Sequence, residues 1–305
     1  MSRPVVVVGS VNLDRSLYVE HLPAPGETVL AHDRHVCVGG KGANQGVQAA
    51  TSGARVIFIG AVGRDEHAKF ARRALAEAGV TAVLEECDEP TGQASITVDD
   101  AGENCIVVDS GANAAISEAA AVDALREVSH EGPLVLVCQG ESPAAIVDAV
   151  AHFSVQGGHR FVLNLAPVID VNVATLRASD PLIVNESEAQ SLLARFEASG
   201  AASLALALHA ALGVPVVVTQ GAHGADVVER DGDCVHVPAL TLTGSVVDST
   251  GAGDALVGGT AAALSAGQAL VDAVHAGAGA AASVLGRRGA SPGQHAPTGR
   301  GEATR

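Results

Sequence analysis

The sequence predicts an α/β protein: a doubly wound, mostly parallel sheet with helices on both faces, plus a small β-sheet lid. Three observations carry this. Short β-branched runs such as Val5–Val8 stop at a glycine, as buried strands do when they reach a turn. From Gly111 onward strand-like and helix-like segments alternate regularly, and repeated βα units imply parallel strands covered on both faces. Two stretches, at about 15–38 and 91–110, interrupt that alternation with extended segments of their own, and together these supply the lid.

Taken in order, the first strand runs through Gly9 to Asn12 and Asp14 at its exit. Pro23, Pro25 and Gly26 make a turn, and 27–38 alternates as one or two solvent-facing strands would. Next come a glycine-rich stretch, 39–46, opening a helix, then a buried strand at 55–60 and an amphipathic helix at 65–78. Strands at 92–98 and 104–108 flank a hairpin-type loop. Helices are expected at 117–129, 142–154, 187–196, 202–212, 254–266 and 269–285. Strands are expected between them at 134–138, 160–165, 181–184 and 215–219, with a late hairpin of 225–229 and 234–237. The reading is one unit over 1–293, followed by a polar, mobile tail at 294–305. Asn12, Asp14, Glu141, Asn164, Asn185 and Thr219 all fall at strand exits, the edge on which such sheets bind ligands.

Composition narrows the function. The formal net charge is −16 with no basic block, which argues against nucleic acid or an anionic membrane as partner. Five cysteines are scattered without a C-x-x-C and read as reduced, mostly buried thiols of a cytoplasmic protein. The first apolar run is too short for a signal-peptide core, and 201–218 reads as helix then strand, not a membrane span. Twelve dispersed histidines form no metal-ligand spacing.

Two stretches carry chemistry. In Asp248-Ser249-Thr250-Gly251-Ala252-Gly253-Asp254, two carboxylates bracket a turn of small residues before an alanine-rich helix. The unpaired N–H groups of that helix would face a phosphate, and Asp254 could take a proton from an attacking hydroxyl. Alone, the stretch reads first as a glycine turn with an Asp N-cap. In Gly39-Gly40-Lys41-Gly42-Ala43-Asn44-Gln45, glycines permit close backbone approach while Lys41 and Asn44 offer hydrogen-bonding groups to a polyhydroxylated ligand; the alternative is a flexible turn before a helix. Lys41 is one of two lysines in the chain. Asn185 could bond a phosphate and Glu188 a hydrated Mg²⁺, although Asn followed three residues later by Glu is also a capping box. The turn Thr219–Gly224 could face a nucleotide or simply close a hairpin. Walker-type and dinucleotide glycine fingerprints are missing.

With Gly9–Asp14, Gly111-Ala112-Asn113 and Gln139-Gly140-Glu141-Ser142-Pro143 added, the order of motifs resembles the ribokinase-like family of carbohydrate and nucleoside kinases over roughly 5–293. The resemblance implies ATP-dependent phosphorylation of D-ribose at O5. Asp254 would be the base and Gly251, Ala252 and Gly253 the anion hole. Asn12, Asp14, Gly40, Lys41, Gly42, Asn44 and Glu141 would hold ribose. Asn185, Thr219, Gly221, Gly224 and Gly253 would line ATP, with Glu188 acting through water on Mg²⁺. It implies an activating K⁺ held by Asp248 and by carbonyls of Thr250, Val284, Arg287 and Gly289, with Gly293 where a serine often completes the site. The lid would cover the sugar and form a homodimer interface. Ala278 stands where the family often carries an adenine-contacting His or Asn, and His275 lies one turn earlier. The rival readings are a kinase of the same fold for another sugar or a nucleoside, and a non-catalytic sugar sensor.

Overall fold

The structure is a computed structural model that describes residues 2–196, 202–240 and 251–285. In chain order its elements begin with β1 (Val5–Val8), β2 (Asn12–Val19), β3 (Asp33–Gly39), α1 (Lys41–Thr51), β4 (Val56–Gly63), α2 (Glu66–Glu77) and β5 (Val80–Cys87). Next come β6 (Gly92–Asp99), β7 (Asn104–Asp109), α3 (Glu118–Ser129), β8 (Val135–Gln139), α4 (Ala144–Gly157), β9 (Arg160–Asn164) and α5 (Val173–Ala178). The chain continues through β10 (Leu182–Asn185), α6 (Glu186–Leu193), α7 (Leu204–Leu212), β11 (Val216–Thr219), β12 (Ala225–Val228), β13 (Cys234–Val237), α8 (Ala252–Ser265) and α9 (Leu270–Val284).

Among the described residues there are two sheets. The larger has the order β13-β12-β11-β10-β9-β8-β1-β4-β5, parallel from β11 to β5 and antiparallel at the β12–β13 hairpin. The smaller, β3-β2-β6-β7, is the lid that the two interruptions predict. Strand β1 shows why this sequence builds a covered sheet. Its four valines are fully buried, Val5 and Val7 packing with one core cluster and Val6 and Val8 with the other. A two-residue period in which both faces are apolar suits only a strand with helices on either side. Each such valine contributes about 1.5–3 kcal/mol of burial.

Some boundaries differ from the sequence reading. Of the alternating stretch 27–38 only 33–38 pairs as a strand, which runs on to Gly39, because the register with β2 begins at Tyr18 opposite Asp33. Strand β5, unassigned from sequence, pairs in parallel with β4 at the sheet's edge, where its outward residues stay partly exposed and leave little apolar signal. Helix α4 starts after Pro143, not at Ser142, since the proline ring crowds the preceding residue out of the helical region. Of the cysteines, only Cys37 and Cys138 are buried; Cys105 and Cys234 are exposed on outer strands, against the expectation of mostly buried thiols.

Topology places the site. The chain leaves β1 toward β4 and β5 on one side and later returns to β8 on the other, so the strand order reverses between β1 and β8. Open α/β sheets bind ligands at such a crevice, beyond the carboxyl ends of the strands. Asn12 follows β1 and Glu141 follows β8, one on each side of it.

Candidate active site

The crevice is built on close backbone approach. The Ser10 hydroxyl donates to Glu141 Oε2 at 2.6 Å, and the Lys41 N–H donates to the same oxygen at 2.9 Å. This carboxylate thereby ties β8's exit to β1's exit and to the start of α1. Gly40, the N-cap of α1, has φ 88°, a conformation that favours glycine. A Cβ on Gly42 would lie 2.7 Å from the Ser10 backbone nitrogen, so only glycine lets α1 dock there. Asn12 is buried and held by Asn113, whose Nδ2 donates to Asn12 Oδ1 at 2.7 Å and whose Oδ1 accepts from Val11 N–H at 2.9 Å.

Asp14, on β2, has its Oδ1 fully buried with no hydrogen-bond partner among the described residues. Burial, then the negative charges of Glu141 and Asp254, push its carboxyl up to about 7. The three carboxylates therefore face one space, and a buried acceptor waiting there suits a ligand rich in hydroxyl donors.

Asp254 sits in the first turn of α8, buried. Gly251, the N-cap, has φ 79°, and the first intrahelical bond runs from Ala255 N–H to Gly251 O at 2.8 Å. The N–H groups of Ala252, Gly253 and Asp254 precede that bond and have no intrahelical acceptor, which makes this turn a ready anion site. Burial raises the Asp254 carboxyl above its ordinary range. The charge of Lys41 and hydrogen bonds from Asn44 and Gln45 oppose the rise, and Glu141 adds to it. Asn44 Nδ2 donates to Oδ2 and Gln45 Nε2 to Oδ1, each at 3.0 Å.

Beside this turn lies a cavity of about 730 Å³, bounded by Thr219, Gly221, Gly224, Gly253, Leu240 and Ala278, among others. It is continuous with the glycine turn and lined almost wholly by small aliphatic groups. Four of the predicted nucleotide residues thus meet here, and Ala278 lines it while His275 does not. Asn185 and Glu188 are not among the lining residues; they form the reciprocal capping box of α6, with both bonds at 2.8 Å. Burial pushes the Glu188 carboxyl up, opposed by the Asn185 N–H and by Lys41, so this carboxylate does lie within reach of the Lys41 charge. Among the described residues no group of three or more His, Cys, Asp or Glu could hold a metal ion. A single partly buried carboxylate fits Mg²⁺ carried mainly by phosphate oxygens and water. Of the predicted K⁺ site, Asp248, Thr250, Arg287, Gly289 and Gly293 lie outside the described residues; Val284, the last residue of α9, is buried.

Sequence reasoning placed Asn164 at the ligand edge of the sheet without naming a function for it and gave no role to Ser10, Gln45, Asn113 or Gln139, although the three amides among these are buried. An amide immediately after a strand, or one residue beyond a predicted ligand, was the available signal.

The model of the pfkB family carbohydrate kinases matches residues 2–297. Ribokinase from Haemophilus influenzae is 32% identical over 294 residues, covering 95% of this chain and 94% of its own. The crystal structure of ribokinase from Thermotoga maritima superposes with a TM-score of 0.83 at 32% identity, covering 94% of each chain. The structure of Arabidopsis thaliana ribokinase complexed with ribose and ATP gives 0.84 at 29% identity, covering 95% of each. With a family match across nearly the whole sequence and the same fold around a glycine turn and a buried aspartate, this chain belongs to the pfkB family of carbohydrate kinases.

Proposed function

We propose that the chain is an ATP-dependent kinase that phosphorylates D-ribose at O5. The observation that carries this reading is the convergence of Asp14, Glu141 and Asp254 on one crevice at the mouth of α8, next to a cavity sized for a nucleotide. Asn12, Asp14 and Glu141, with Gly40, Lys41, Gly42 and Asn44, hold the sugar, and the buried Asp14 oxygen accepts from its hydroxyls. Asp254 takes the proton of the attacking hydroxyl. The N–H groups of the turn at Gly251, Ala252 and Gly253 receive the negative charge that builds on the transferred phosphoryl group. Thr219, Gly221 and Gly224 flank the nucleotide, with Asn185 toward its phosphates.

Mg²⁺ would be held near Glu188 and would neutralise phosphate charge. K⁺ would sit by the carbonyl end of α9, where helix carbonyls lack intrahelical donors, and would shape the neighbouring turn. We read 1–293 as one ribokinase-like unit with the lid inserted at about 15–38 and 91–110, working in the cytoplasm; its tail, 294–305, lies outside the described residues. The lid also forms a homodimer: all six residues of β7 are exposed, including Ile106, Val107 and Val108, and among the described residues β7 is an edge strand open to a partner.

ADP release measured with a panel of pentoses, hexoses and nucleosides, with Mg²⁺ and in K⁺ or Na⁺ buffer, tests the reading. Ribose is expected to give the highest kcat/KM, and faster in K⁺. A nucleoside or hexose ahead of ribose would reassign the substrate, and no turnover with any of them would leave a sugar-binding sensor.

A further inference from the structure

Asp254 is reached from behind by a chain of buried side-chain amides. Gln45 Nε2 donates to Asp254 Oδ1 at 3.0 Å and to Asn164 Oδ1 at 2.9 Å, using both of its hydrogens. Gln45 Oε1 accepts from Gln139 Nε2 at 2.7 Å, and Asn164 Nδ2 donates to the Ile183 carbonyl at 3.0 Å. Gln45 and Gln139 are fully buried, and Asn164 nearly so.

The polarity of this chain is forced from its far end. The Ile183 carbonyl can only accept, so the Asn164 amide must present its nitrogen there and its oxygen to Gln45. Gln45 must then turn its NH₂ toward both Asn164 and Asp254, leaving its oxygen for Gln139. Gln139 in turn spends its nitrogen on Gln45, and its own Oε1 is buried without a hydrogen-bond partner among the described residues. An orphaned acceptor at the end of the chain marks an orientation imposed by the rest of it. Asn164 faces Ile183 across the parallel β9–β10 pair, so the anchor is the core sheet itself.

We propose that Gln45, oriented by Asn164 and Gln139, is a positioning residue that keeps Asp254 ionised and aimed at the substrate hydroxyl. Its amide donates to one carboxylate oxygen while Asn44 donates to the other, and two donors favour the charged form that a base requires. Removing one donor lets burial dominate, and Asp254 then holds its proton to higher pH. Among the described residues the other charges around Asp254 are Lys41 on α1, Glu141 beyond β8 and Asp14 on β2, and none of them changes in a Gln45 variant.

The inference rests on Asp254 as the base, and the experiment separates the two. Gln45→Met keeps the length of the side chain and removes the donor. We expect kcat at pH 7 to fall about tenfold, as for loss of a hydrogen bond to a charged group. The acid limb of kcat should move to higher pH, with KM for ribose changed less than about threefold, since in this network Gln45 meets only protein groups. Gln139→Met, which only frees the Gln45 amide to turn, should shift the limb less but in the same direction, and it serves if Gln45→Met does not fold. An unmoved acid limb in a folded variant, or a rise in KM with kcat intact, overturns the positioning role. Full turnover in Asp254→Asn would instead overturn the assignment of the base.

Discussion

The Asp14 carboxylate occupies the space in which a side chain on Gly39 would begin: a Cβ built on Gly39 would stand 1.9 Å from Asp14 Oδ2. The two residues sit on neighbouring strands of the lid, β2 and β3, where Asn12 is the direct partner of Gly39. The first glycine of the 39–45 stretch is therefore a vacancy that a carboxylate fills.

Gly39→Ala should expel Asp14 from that position. Overpacking of this kind costs about 1–3 kcal/mol. We expect a lower Tm and a KM for ribose raised about tenfold or more, with kcat at saturating sugar less affected. Wild-type KM in this variant would mean that Asp14 does not contact the sugar.

Asp14 itself should be a liability to the unliganded fold. Its carboxyl titrates at about 7 in the folded chain, far above the ordinary carboxylate range. As pH rises between those values the unfolded chain releases a proton that the folded chain keeps, so stability falls across that window. Asp14→Asn is expected to raise Tm at pH 8, to raise it progressively less as pH falls toward 4, and to abolish tight sugar binding. A gain independent of pH in thermal melts would contradict the assignment. Ribose affinity of the wild type should weaken below pH 7, where the Asp14 oxygen becomes protonated.

Asp254→Asn removes the proton acceptor and one local charge while preserving shape. Turnover should fall by about two to four orders of magnitude, the usual contribution of a positioned base. Ribose binding by calorimetry should stay within a few-fold of wild type.

Val107, two-thirds exposed in the middle of β7, offers the most direct test of the lid interface. Val107→Asp should convert a dimer to a monomer in sedimentation experiments and leave the Tm of the isolated protomer within about 0.5 kcal/mol equivalent, as surface substitutions usually do. A wild-type protein that sediments as a monomer would exclude the interface.

How much of this could be read from residues alone depended on whether the signal was local. Val5–Val8, the first part of Val56–Gly63 and Val216–Thr219 announce themselves because a buried parallel strand is β-branched and apolar on both faces. The Gly39–Gln45 and Gly251–Asp254 stretches were legible because close approach and positive φ demand glycine at fixed offsets. β5 was not, because an edge strand carrying Glu85 and Glu86 has neither pattern. The capping box of Asn185 and Glu188 was ambiguous in the sequence, and it is present in the structure without excluding a ligand role. The amide chain behind Asp254 was beyond reach, since it joins Gln45 to Gln139 across 94 residues and takes its direction from a single backbone carbonyl.

Asn44 and Gln45 meet their carboxylate partner 210 and 209 residues further along the chain. A ribosome therefore delivers everything from Asn12 to Glu141 long before it delivers Asp254. Closing so long a loop is among the slower and later events in building a chain. With Asp254 as the base, a nascent or clipped chain that stops short of α8 carries the amides without their carboxylate. It cannot spend ATP on a sugar before α8 is docked.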